Sequence, residues 1–107
     1  MTVDVDASPV ATAALKALAE PVRWRIVELL AIEELCVCHL VELLDIAQPL
    51  VSHHLRILRE AGLVNSSRFR YWTYYRLLPD GLAQLTSSLA GLTTTASPVG
   101  ERRRPCC

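Results

Sequence analysis

Long apolar runs are missing from this chain: none approaches the roughly 20 residues a bilayer-spanning helix requires, so no membrane partner is predicted. A secretory leader is not read either, because the opening MTVDVDASPV is acidic and has no apolar centre. No nucleophile–base pair and no phosphate-cradling loop stands out, which argues against an enzyme. Net charge is absent as well, with 11 Lys and Arg balancing 11 Asp and Glu. What is there is a chain of 107 residues, 51% apolar and 21% charged. That composition predicts one small globular cytoplasmic domain with its own core.

Zero net charge argues against a nucleic-acid partner only until its distribution is read. Residues 28–45 hold Glu28, Glu33, Glu34, Glu42 and Asp45 and no Lys or Arg. Residues 56–76 hold Arg56, Arg59, Arg68, Arg70 and Arg76 against Glu60 alone. A basic stripe on a neutral protein is still an electrostatic footprint for phosphate. Its cations are all arginines, whose planar fork suits phosphate and base edges better than an ammonium does.

The apolar periodicity predicts a mainly α domain with a small β-hairpin. Residues 1–10 read as a flexible arm. ATAALKALAE reads as a helix with Leu15 and Leu18 on one face, ending before Pro21. Pro21 opens a second helix, whose core face is Val22, Ile26, Leu29 and Leu30. HLVELLDI supplies Leu40, Leu43 and Leu44 for a short third helix. Gln48 and Pro49 start a fourth, with Val51, Leu55 and Leu58 inward and Gly62 at its C-cap. Its outer side shows Gln48, Ser52, Arg56 and Arg59, with His53 close by. Two helices joined by so short a turn, the second polar and basic outside, read as a helix-turn-helix. LVNSSRFRYWTYYRLL then places β-branched and aromatic residues around an Arg-containing centre, a hairpin with a basic tip. DGLAQLTSSLAGL reads as a last helix, with Asp80 as candidate cap and Leu82, Leu85 and Leu89 in register. Residues 94–107 read as a flexible tail carrying Cys106 and Cys107. The order α-α-α-α-β-β-α over residues 11–93 is that of a winged helix-turn-helix.

Four cysteines in a chain of this kind point to metal or redox chemistry before disulfides. Soft thiolates select soft ions such as copper(I), cadmium, zinc and arsenic(III). Cys36 and Cys38 are two residues apart and would point to opposite sides of a regular helix. They can chelate together only where the chain is irregular, as at a helix start, which also favours thiolate. As packing, they would be small buried hydrophobes. His39 reads as a surface or hinge side chain, His54 as packed, His53 as facing DNA, and Trp24 and Trp72 as core or interface.

In the order they occur, AEPVRWRIVELL, ELCVCHL, AQPLVSHHLRILREAGLV and YWTYYRL resemble the ArsR/SmtB family of metal-sensing winged-helix repressors. The resemblance implies a homodimer through the first and last helices, with the Gln48–Arg59 helix in the major groove of operator DNA. It also implies repression relieved by a toxic metal. ELCVCHL is similar to the ELCVCDL box of the arsenic/antimony and cadmium/lead sensors. This chain departs from those sensors in several places. Val41 stands where single-helix arsenic sensors have a third cysteine. His39 replaces the box Asp, Phe69-Arg70 replaces a frequent Glu-Gly at the wing tip, and the last helix lacks the histidine of zinc sensors. Two sulfurs are too few for a tight thiolate site, and the other two are Cys106 and Cys107.

The expected ligands of arsenic(III) or antimony(III) are therefore Cys36, Cys38, Cys106 and Cys107. Cadmium, lead or zinc held by four thiolates is the alternative, and a thiol-redox switch is a third reading. The expected DNA-contacting residues are Gln48, Pro49, Ser52, His53, Arg56, Arg59, Arg68 and Arg70.

Overall fold

The structure is a computed structural model that describes residues 8–98 and 103–106. Helix α1 spans Pro9–Leu18. It starts where the Ser8 hydroxyl accepts the Ala11 N–H at 3.3 Å, with proline in the first turn. Residues 9 and 10, read from the sequence as part of an arm, are thus helical. Helix α2, Pro21–Ile32, is capped by the Glu20 carboxylate, which accepts the Arg23 N–H at 2.9 Å. Strand β1, Leu35–Cys36, leads directly into helix α3, Val37–Leu44. Asp45 ends α3 in the left-handed region at φ 54°, and helix α4, Gln48–Glu60, follows after a short turn.

The end of α4 is a glycine stop. Gly62, at φ 76°, donates to the Arg59 carbonyl, and Leu63 donates to that of Leu58, both at 3.0 Å. The chain then forms strands β2, Val64–Phe69, and β3, Trp72–Leu77, and helix α5, Pro79–Thr95. Leu78, not Asp80, occupies the N-cap of α5, and Asp80 stands in the first turn, where its carboxylate suits the helix dipole. Thr94 and Thr95, read as tail, complete its last turn. A Cβ on Gly81 would collide with the Gly62 carbonyl, so the foot of α5 is seated directly on the α4 stop.

The sheet is antiparallel in the order β1-β3-β2. The winged helix-turn-helix expected from the sequence is present, with one addition: the order is α-α-β-α-α-β-β-α, and the hairpin carries a third strand. The core is filled by Ile26, Leu40, Val51, Leu55, Leu58 and Leu63, all essentially inaccessible to water. Among the described residues no helix is long and apolar enough to cross a membrane.

Candidate nucleic-acid interface and thiol box

Helix α4 owes its orientation to its two faces. Val51, Leu55 and Leu58 are buried, and Gln48, Pro49, Ser52, His53, Arg56 and Arg59 are exposed. An Arg56 guanidinium nitrogen lies 3.3 Å from His53 Nδ1, which draws the two into one polar patch. At the wing tip, Arg68 and Arg70 are exposed, and Arg70 takes φ 59° in the two-residue loop that closes the hairpin. All eight residues expected at DNA are therefore open to solvent, on one helix and one hairpin.

A polar knot behind α4, not read from the sequence, locks that helix to the rest of the domain. The Arg23 guanidinium donates to the Ala17 carbonyl at 2.7 Å and the Lys16 carbonyl at 3.4 Å, both at the end of α1. Its remaining arm lies 3.2 Å from His54 Nδ1 on α4. Glu20 Oε2 is 3.7 Å from the same nitrogen. Burial pushes His54 below its ordinary pKa; Glu20 pulls the other way, and Arg23 and His53 add to the lowering. The ring is therefore favoured neutral, with Nδ1 accepting from Arg23, and its contact with Glu20 is not an ion pair. Burial also pushes the Glu20 carboxyl up, but the backbone N–H groups of Arg23 and Val22, the charge of Arg23 and, once it is protonated, that of His54 hold it below its usual range. His54 packs and His53 is exposed, as expected.

The thiol box sits where β1 becomes α3. Cys36, only 7% exposed, is the N-cap of α3 with an extended backbone, while Cys38 is exposed in the first helical turn. Cys36 therefore lies just outside the regular helix, at a strand-to-helix break of the kind an i, i+2 pair needs for joint chelation. Cys36 N–H donates to His39 Nδ1 at 3.2 Å, and Cys36 Sγ lies 3.3 Å from the same nitrogen. His39, expected to be a bystander at the surface, is exposed but closes over the box. Its spacing, three residues after the cap, is that of a capping box, although Cys and His are not the residues by which a sequence announces one.

Cys106 is exposed, and Cys107 lies outside the described residues. Among the described residues no three His, Cys, Asp or Glu side chains are gathered to hold a metal ion, so Cys106 is not brought to the box. Trp24 and Trp72, expected as core or interface, are 51% and 53% exposed. Trp24 helps line a groove of about 430 Å³ between α1, α2 and α5, with Leu15, Leu18, Leu82, Leu85 and Leu89. Trp72 stands on the wing.

Residues 20–66 match the model of the bacterial regulatory protein arsR family. The chain is 48% identical over 65 residues to the arsenical resistance operon repressor of Escherichia coli K12, a match covering 60% of this chain and 56% of that protein. The crystal structure of a possible transcriptional regulator for arsenical resistance is 37% identical, with TM-score 0.66, covering 80% of this chain and 98% of that one. The homodimeric winged helix-turn-helix DNA-binding domain Mb0332 of Mycobacterium bovis is 28% identical, with TM-score 0.65, covering 79% and 82%. The chain thus spans little more than half the length of the curated repressor it matches. Its winged helix, the exposed polar face of α4 and these likenesses lead to one assignment: the chain belongs to the ArsR family of transcriptional regulators, which are not enzymes.

Proposed function

We propose that the protein is a homodimeric repressor that binds operator DNA and is released when arsenite or antimonite binds its cysteine thiols. The observation that carries this reading is the placement of Cys36 and Cys38 at the β1–α3 break, one helix before the exposed face of α4. In this reading α4 enters the major groove with Gln48, Pro49, Ser52, His53, Arg56 and Arg59. The wing lays Arg68 and Arg70 on the flanking backbone. The dimer forms over the groove lined by Leu15, Trp24, Leu82 and Leu89, with Leu92 at 68% exposure continuing it along α5. A contiguous apolar patch of this kind is what a second copy covers.

Cys36 and Cys38 supply two ligands, and the tail that follows α5 supplies the rest through Cys106 and Cys107. Arsenic(III) takes three sulfurs in a pyramid, whereas a cadmium-, lead- or zinc-like ion takes four ligands. The deciding experiment titrates the reduced protein with arsenite and with cadmium while following its release from its own promoter. Release by arsenite at lower concentration supports the reading. Release by cadmium alone moves the assignment to a four-thiolate sensor, and release by peroxide without metal moves it to a redox switch. Removing the residues after 98 should leave operator binding intact and sharply weaken the metal response. A truncated protein that responds at wild-type concentrations removes the tail from the site.

A further inference from the structure

Strand β1 makes the thiol box part of the wing sheet. Leu35 and Cys36 pair with Tyr75 and Tyr74 of β3, and Tyr74 in turn pairs with Ser67 of β2. Residues opposite one another in a ladder share a face, and alternate residues along a strand return to it. Cys36, Tyr74 and Ser67 therefore share one face, and Trp72 and its partner Phe69 continue that face toward the tip. The opposite face carries Leu35, Tyr75 and Leu77 toward the core.

On the shared face the side chains form a row. His39, held to the Cys36 backbone and sulfur through Nδ1, has its ring centroid 6.4 Å from that of Tyr74. At the far end the Arg70 guanidinium carbon lies 5.6 Å from the Phe69 ring centroid. The row starts at a thiol and ends at an arginine exposed for phosphate.

The base of the hairpin packs on the core through Val64, Tyr75 and Leu77, and little restrains its outer part. Val64 is the single buried residue in β2, and β3 has none, whereas α4 buries three side chains and is knotted to α1 and α2 through Arg23. A pull at Cys36 therefore meets the least resistance along β3.

We propose that His39 and Tyr74 are positioning residues that tie the wing to Cys36, so that ligation of Cys36 displaces the wing rather than the reading helix. The proposal rests on the reading of Cys36 as a ligand. Each thiol that binds arsenous acid forms one S–As bond as one As–OH bond breaks, and the thiol proton leaves with that hydroxide as water. The bonded sulfur has no proton left for His39 Nδ1 and is drawn toward Cys38. The cap over Cys36 opens, and the Cys36–Tyr74 pairing and the His39–Tyr74 ring contact are both disturbed. Arg68 and Arg70 then leave their phosphates.

The test has a metal-free and a metal-loaded arm, both on the reduced full chain. Without metal, His39→Ala and Tyr74→Ala should each raise hydrogen exchange at wing amides 66–73 by about tenfold and leave α4 amides 48–60 unchanged. Tyr74→Phe, which keeps the ring, should match wild type. A general structural role would loosen α4 as much as the wing; that result, or an unchanged wing, overturns the tether. With arsenite, followed by thiolate–arsenic absorbance, Tyr74→Ala should bind as wild type does while its operator affinity falls by about tenfold less on saturation. Full release by saturated Tyr74→Ala overturns the coupling. A wild-type protein that binds no arsenite overturns the ligand reading instead, and the exchange arm still decides the tether.

Discussion

The reading helix and the wing present the same chemistry, arginines on an exposed polar surface, and are held in opposite ways. Helix α4 is nailed down: Val51, Leu55 and Leu58 are at most 1% exposed, His54 is tied through Arg23 to the carbonyls ending α1, and Gly62 and Leu63 close its last turn. The wing is a ribbon. Phe69, Tyr71 and Trp72 are 61%, 88% and 53% exposed. What holds it is the sheet ladder, the packing of Tyr75 and Leu77 at its base, and the contact of Tyr74 with His39. In the proposed reading, one domain keeps the helix meant for base edges rigid and leaves the hairpin meant for phosphate more loosely held.

The hardest way to break the comparison is to remove the nail. Leu55→Ala should cost about 2–5 kcal/mol of stability, as buried leucine truncations do, and urea unfolding measures it. An effect below 1 kcal/mol, as an order-of-magnitude threshold, would show that α4 is no better anchored than the wing.

The two surfaces should also separate at DNA. Arg56→Ala should cost about 1–3 kcal/mol at the operator and relax specificity there. Arg68→Ala or Arg70→Ala should weaken operator and unrelated DNA alike and reduce the salt slope by about one. Titrations at several salt concentrations check both, and a base-specific loss from either wing variant would reverse the roles assigned here.

Acid should act on the α4 anchorage. His54 sits below its ordinary value of 6.5, so the unfolded chain takes up its proton first and stability falls as pH drops from that value through the folded one. Glu20 is also lowered, and its share is lost further down, as pH falls through its folded value. The groups facing His54 are Glu20, Arg23 and His53, so its protonation sets a second positive charge against Arg23. Thermal melts from pH 7 to 5 should show a decline that His54→Gln flattens. The smallest effect should come from the wing: Phe69→Ala is expected to change stability by no more than about 0.5 kcal/mol.

Much of this architecture was legible because its helices bury leucines and valines at three- and four-residue spacing between proline starts and a glycine stop. Val51, Leu55, Leu58 and Gly62 all stand where that pattern puts them. Strand β1 was not legible. Two residues are too few to show alternation, and Leu35–Cys36 is a strand only because Tyr74 and Tyr75, some 40 residues on, supply its partners. The knot of Glu20, Arg23 and His54 escaped for the same reason, since it joins three helices and no local pattern announces it. Trp24 and Trp72 were read as core or interface; both are half exposed, which removes the core alternative and leaves the interface one open. The box cysteines were legible as a pair, but not the histidine that caps them.

One joint in the fold governs a length far larger than itself. Gly81 rests on the carbonyl of Gly62, with no room for a methyl group, so the start of α5 and the end of α4 meet at a fixed pivot. In a dimer paired through α1 and α5, each reading helix is the far end of a lever that turns on that pivot. The half-sites of such an operator are about 34–36 Å apart, one turn of DNA. A few degrees at Gly81 therefore become a sizeable part of a base-pair step at the groove. In the proposed dimer, the absence of one side chain would set the zero from which that spacing is measured.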